Sequence, residues 1–126
     1  MRLPRSMRMR KRSEFQLLRK EGKTIRGRFL VLSRQHRPGL GVPFRCAIIL
    51  TKKSVRRAVG RNRIRRRLRS VISECGENIT PEHLFILIGR YNVGEASFDD
   101  LRRDWLRLAR KTGLLAAKEQ ASPNPE

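Results

Sequence analysis

The chain has 126 residues, and 31 Lys and Arg against 11 Asp and Glu leave it a formal net charge of +20, so it is the size of one domain with a large positive excess. The apolar runs, such as Ala47 to Leu50 and Leu84 to Ile88, are strand-sized and exclude a membrane-spanning helix. Met1 to Arg12 lacks the apolar middle of a secretory signal; its basic, acid-poor composition is shared with organelle transit peptides, but it runs straight into a helix start, and a cytoplasmic location is expected.

In chain order, Ser13-Glu14-Phe15-Gln16 has the form of a capping box, Leu17 and Leu18 follow, and Gly22 stops a short first helix. Phe29 to Ser33 is a strand candidate, Arg37 to Val42-Pro43 is turn chemistry, and Arg45 to Thr51 is a second strand expected to pair with the first as a hairpin. Ile64, Leu68, Val71, Ile72 and Cys75 recur at helical spacing, with Asn62, Arg66, Arg69 and Ser73 on the opposite side, and Gly76 ends that helix. His83 to Ile88 is apolar at nearly every position, as a strand in the middle of a sheet would be. Ser97-Phe98-Asp99-Asp100 starts a last amphipathic helix with Leu101, Trp105 and Leu108 inward and Arg102, Arg103 and Arg107 outward. The residues alone thus read α-β-β-α-β-α, a small α/β sandwich, with one domain over 1–113 and a flexible tail over 114–126. Cys46 and Cys75 lack metal-ligand spacing and are expected to be buried free thiols.

The charge is unevenly placed. Residues 1–73 hold 24 basic and 2 acidic side chains, and no Asp or Glu occurs from Gly22 to Ser73. Local ion pairs cannot neutralise that stretch, and nucleic acid is the expected counter-charge. Its centre is the segment Thr51 to Arg69, read as a cationic helix with one apolar stripe, in which ten of the eighteen residues from Lys52 are basic. Arginine outnumbers lysine by eight to two, and a guanidinium can fork onto a phosphate or stack on a base. A merely solvated helix face would interleave acids. Asn62 has no charge to offer a phosphate: its amide suits a base edge, a backbone group or a hydrated Mg²⁺ shared with phosphates, and equally a cap or plain solvent.

The block Lys52-Lys53, Arg56-Arg57-Ala58, Arg61-Asn62-Arg63-Ile64-Arg65-Arg66 closely resembles the signature of the bacterial ribonuclease P protein component. The resemblance extends to the helix around Phe15, the strand Arg45 to Thr51, the strand ending Ile88-Gly89-Arg90 and the closing helix. It implies an α+β fold, a small two-layer sandwich of three helices and a mixed four-stranded sheet in the order α-β-β-β-α-β-α, with a left-handed crossover that general handedness rules would not give. It also implies a role as the non-catalytic protein subunit of an RNA-based endoribonuclease that removes the 5′ leader from precursor tRNA. Lys52, Lys53, Arg56, Arg57, Arg61, Asn62, Arg63, Arg65, Arg66 and Arg69 resemble the RNA-contacting set. Phe15, Arg19 and Phe29 are the matching candidates for a cleft holding the single-stranded leader, with Arg19 standing where relatives often carry a second aromatic; core packing is the rival for Phe15 and Phe29. The implied partners are the catalytic RNA and precursor tRNA, with no membrane and no stable protein partner required, and the implied cofactor is Mg²⁺ bound mainly by the RNA, with Asn62 as a shared ligand.

A protein nuclease would need grouped carboxylates or a positioned base. Asp99, Asp100 and Asp104 read instead as acids complementing a helix dipole, and His36 and His83 have no evident partner, so no catalytic residue is expected. The main rival is a ribosomal or other structural RNA-binding protein of similar charge. A helix-turn-helix DNA regulator is disfavoured because a strand precedes the basic helix, and a membrane-active peptide because a sheet is expected.

Overall fold

The computed structural model describes Arg8 and residues 12–115. Its elements are α1 (Arg12–Glu21), β1 (Lys23–Arg26), β2 (Leu30–His36), β3 (Phe44–Ile49), α2 (Ala58–Glu74), β4 (His83–Gly89) and α3 (Phe98–Lys111). The strands form one mixed sheet in the spatial order β1-β2-β4-β3, antiparallel except for the parallel pair β3/β4. The α+β class, three helices and four mixed strands match the expectation. The expected hairpin between the Phe29 and Arg45 strands does not form: β4 lies between them, and β2 pairs instead with β1. The reason is burial. His83 to Leu87 are all buried, and only a central place covers both faces of so apolar a strand. β1 escapes a residue-by-residue reading because Lys23-Thr24-Ile25-Arg26 has one apolar side chain.

Alternation along the strands divides the core in two. Leu30, Leu32, Phe44, Cys46, Phe85 and Leu87 share one cluster with Ile64, Leu68 and Ile72 of α2 and Leu101, Trp105 and Leu108 of α3. Leu84 and Ile86 point the other way, under Leu18 of α1. The sandwich therefore carries α1 as a partial third layer. Trp105, fully buried, stacks on Phe85 at 5.5 Å between centroids. Phe29 belongs to the main core, buried on the α2/α3 side, so it is not in a cleft beneath α1. The packed chain also runs past 113: Leu114 and Leu115 are buried, and Leu115 bridges to Ile79. Cys46 is buried and Cys75 half-buried, both free. Burial pushes the Cys46 thiol up to about 12, against the opposing pull of Arg69 and Arg8, which leaves it unreactive. The capping box expected of Ser13-Glu14-Phe15-Gln16 needs the Ser13 side chain, which lies outside those described, and α1 itself starts at Arg12, ahead of Ser13.

α3 starts at a capping box: the Ser97 hydroxyl accepts from the Asp100 N–H and Asp100 accepts from the Ser97 N–H, both at 3.0 Å. Asp104 is a different case from the dipole role expected of it. It is buried, and its carboxylate accepts the backbone N–H groups of Arg28, Phe29 and Leu30 at 3.0, 2.8 and 2.9 Å. Gly27 makes room for it, since a Cβ there would lie 2.7 Å from both carboxylate oxygens. The loop between β1 and β2 is thus moored to α3 by one side chain.

At the other end of the sheet His83 is buried, with Nδ1 at 3.0 Å from Thr80 O and 3.1 Å from Pro81 O, and Nε2 at 3.2 Å from Arg34 Nη1. Two carbonyls at Nδ1 assign the proton there, leaving Nε2 to accept from Arg34. Burial lowers the His83 pKa below its ordinary 6.5, the carbonyls oppose, and the charges of Arg34 and His36 lower it further. The unfolded chain therefore takes up the proton first, and stability falls as pH drops below about 6.5. The urea midpoint should be lower at about pH 5.5 than at about pH 7.5, and a His83→Gln variant should lose most of that difference; a wild-type midpoint that rises on acidification would contradict this assignment.

Candidate nucleic-acid interface

The basic segment is a turn followed by a helix, not one continuous helix. Thr51 to Ser54 fold into a turn, with Val55 N–H bonded to Thr51 O at 2.9 Å and the Thr51 and Ser54 side chains linked at 3.1 Å, so Lys52 and Lys53 occupy its tip, exposed. α2 begins at Ala58 behind an extended Arg57 whose side chain forms no cap, and no acid lies in the first turn. The Arg61 guanidinium takes over the junction, donating from Nη1 to Val55 O at 2.8 Å and Arg56 O at 2.9 Å. Gly60 lets the turn approach, as a Cβ there would meet Val55 Cγ1 at 2.9 Å.

Along α2, Ile64, Leu68, Val71 and Ile72 face the sheet, which turns Asn62, Arg63 and Arg66 to solvent and leaves Arg61, Arg65, Arg67 and Arg69 half-buried along the flanks. Arg69 and Arg8 both act on Cys46 in β3, so that flank of the helix looks toward the outer edge of the sheet. Asn62 Oδ1 accepts from Arg65 Nη1 at 3.2 Å. Lys52, Lys53, Arg56, Arg57, Arg63 and Arg66 make no ion pair among the described residues. Arginine–carboxylate ion pairs among the described residues lie elsewhere, Arg102 with Glu74, Arg103 with Asp99 and Arg107 with Asp104. The result is a set of exposed guanidinium and ammonium groups carried on a hydrogen-bonded turn and the first turns of a helix, suited to phosphates.

On the face of the sheet opposite α2 and α3, the surface under α1 is only partly covered. Phe15, Leu40, Ala47, Ile49 and Ile88 are half-buried around the Leu18, Leu84 and Ile86 cluster. They form an apolar shelf on β3 and β4 with Phe15 at its margin and Arg19 exposed on the same helix. Of the three cleft candidates, Phe15 and Arg19 lie on α1 on this side of the sheet, whereas Phe29 lies in the core on the other side. Ala47, Ile49 and Ile88 were missed because half-buried strand residues look like core in a sequence; apolar character at both parities of one strand was the available signal.

A cleft of about 230 Å³ lined by Arg28, Phe29, Asp100, Arg103, Asp104 and Arg107 lies on the α3 side, but its carboxylates are committed to backbone N–H groups. Among the described residues no group of three or more His, Cys, Asp or Glu could hold a metal. Asn62 Oδ1, the expected shared magnesium ligand, is engaged here by the Arg65 guanidinium. No helix among the described residues is long and apolar enough to cross a membrane.

The ribonuclease P family model matches residues 3–113. The chain is 30% identical over 114 residues to the ribonuclease P protein component of Syntrophomonas wolfei, covering 90% of this chain and 93% of the relative. It is 31% identical over 113 residues to that of a Geobacillus species, covering 90% and 96%. Among solved structures, the ribonuclease P protein of Staphylococcus aureus superposes with a TM-score of 0.78 at 22% identity, covering 86% of this chain and 97% of the other. That of Thermotoga maritima gives 0.72 at 24%, covering 82% and 96%. The signature arginines, the mixed sheet and the span of the match agree, and the chain belongs to the ribonuclease P protein family.

Proposed function

We propose that the chain works as the protein subunit of ribonuclease P by placing two surfaces against RNA: the Lys52 to Arg69 array on the catalytic RNA, and the shelf beside α1 on the 5′ leader of precursor tRNA. Family membership makes it part of an endoribonuclease complex with the ribonuclease P RNA as partner. The observation that carries the surface assignment is the set Lys52, Lys53, Arg56, Arg57, Arg63 and Arg66, exposed and without an ion pair among the described residues, on a turn and helix joined through Arg61. Such an array lowers the cost of bringing phosphates together, while an apolar shelf accepts unpaired bases of any sequence. In this reading hydrolysis belongs to the RNA, which holds the Mg²⁺ that activates water. Asn62 contributes its amide once Arg65 has swung onto a phosphate. The protein needs no further protein partner and acts in the cytoplasm. The ribosomal alternative is not favoured, because the family match covers nearly the whole chain.

Cleavage of labelled precursor tRNA by a bacterial ribonuclease P RNA at low Mg²⁺, with and without this protein, tests the reading. Strong stimulation is expected, with no cleavage by the protein alone. Tight RNA binding without stimulation would instead point to a structural RNA-binding role.

A further inference from the structure

Two large apolar side chains among the described residues stand in solvent, Val59 at 70% exposed and Tyr91 at 76%. Val59 lies among the arginines of α2, whereas Tyr91 lies in the turn between β4 and α3. A single exposed ring is ordinary on a protein surface; what sets Tyr91 apart is how it is held. The Arg90 guanidinium lies over the ring, 5.6 Å from its centroid. That guanidinium is itself pinned, donating from Nη1 to Gly27 O at 2.9 Å and Arg28 O at 3.3 Å. The backbone is equally tied, with Arg90 N–H bonded to Phe29 O at 2.9 Å and Val93 N–H to Arg90 O at 3.0 Å.

The same turn touches the lysine-bearing turn before α2: a Cβ at Gly94 would sit 3.7 Å from Val55 Cγ2 and 3.8 Å from Ser54 O. Tyr91 therefore stands at one end of the sheet, between exposed Arg28 and the turn that presents Lys52 and Lys53. The cations outnumber the turn's one acid, Glu95. A ring backed by a cation, ordered in advance and flanked by phosphate-binding groups is the arrangement that base stacking needs.

We propose that Tyr91 is a stacking platform for an unpaired base of the bound RNA, extending the interface from α2 across the β4–α3 turn. The proposal rests on the RNA-binding reading above. A polyanion with exposed bases fits better than a protein partner because Arg90 lies over the ring and Arg28, Lys52 and Lys53 stand exposed on the neighbouring turns.

The test uses full-length protein with a bacterial ribonuclease P RNA, alone and with precursor tRNA. Tyr91→Ala should weaken binding by about tenfold at fixed salt while leaving the salt dependence unchanged, since a stacked base releases no counterion. Tyr91→Phe should bind as wild type. Tyr91→Trp should bind well, and its exposed indole should be quenched on RNA addition, against the background of buried Trp105. Wild-type binding with an unaffected Tyr91→Ala, or an unquenched Trp at 91 in saturated complex, would overturn this inference alone. Absence of wild-type binding to either RNA would overturn the RNA-binding reading together with it.

Discussion

Asp104→Ala is expected to destabilise the protein by about 3–5 kcal/mol, read as a drop in the urea midpoint, because it removes the shared acceptor of three backbone N–H groups. Each orphaned donor costs about 1 kcal/mol or more when water cannot replace the acceptor fully. The Arg28, Phe29 and Leu30 amides lie 74 to 76 residues away in sequence, so nothing local can substitute. Against a typical total of about 5–15 kcal/mol, the loss brings a small domain close to its limit. The ion pair with Arg107 contributes little to this, since that guanidinium is 58% exposed. Asp104→Asn should fall between wild type and alanine, because an amide keeps one acceptor and turns N–H groups toward backbone donors. A midpoint for Asp104→Ala within about 0.5 kcal/mol of wild type would show that the loop does not depend on this mooring. Arg90, whose guanidinium lies over Tyr91, donates to two carbonyls of the same loop, so the turn carrying Tyr91 and the core share this anchor.

The joint replacement of Arg57, Arg63 and Arg66 by alanine is expected to weaken binding to ribonuclease P RNA on the order of a hundredfold near 0.1 M salt and to reduce the salt slope by about 2–3, nearly one per lost phosphate contact. These side chains make no ion pair among the described residues, so the fold should keep its melting temperature or gain slightly from relieved repulsion. Arg61→Ala should behave differently. Its guanidinium holds Val55 O and Arg56 O, and losing it should lower stability by about 1–2 kcal/mol in addition to weakening binding. Affinity of the triple variant within twofold of wild type at matched salt would place the RNA elsewhere on the molecule.

Much of this was legible without coordinates because it is local. Helical spacing set the buried stripe of α2, a serine and an aspartate three residues apart set the start of α3, and a stretch of 52 residues with no acid, Gly22 to Ser73, announced a polyanion partner. Continuous apolar character placed β4 inside the sheet. The tertiary structure alone decided the rest. Whether β3 pairs with β2 or runs parallel to β4 depends on which arrangement buries both faces of β4, a competition between distant segments that no window of sequence contains. Phe29 reads the same pointing into a cleft or a core, and only the packing of α3 against β2 sends it inward. Asp104 looks like one more acid in the first half of a helix until the loop carrying Gly27 folds against it, and Arg61 looks like one more RNA ligand until the turn before α2 delivers two carbonyls to its guanidinium. In each case the residue type was visible, but its partner was brought within hydrogen-bonding distance only by the chain folding back on itself.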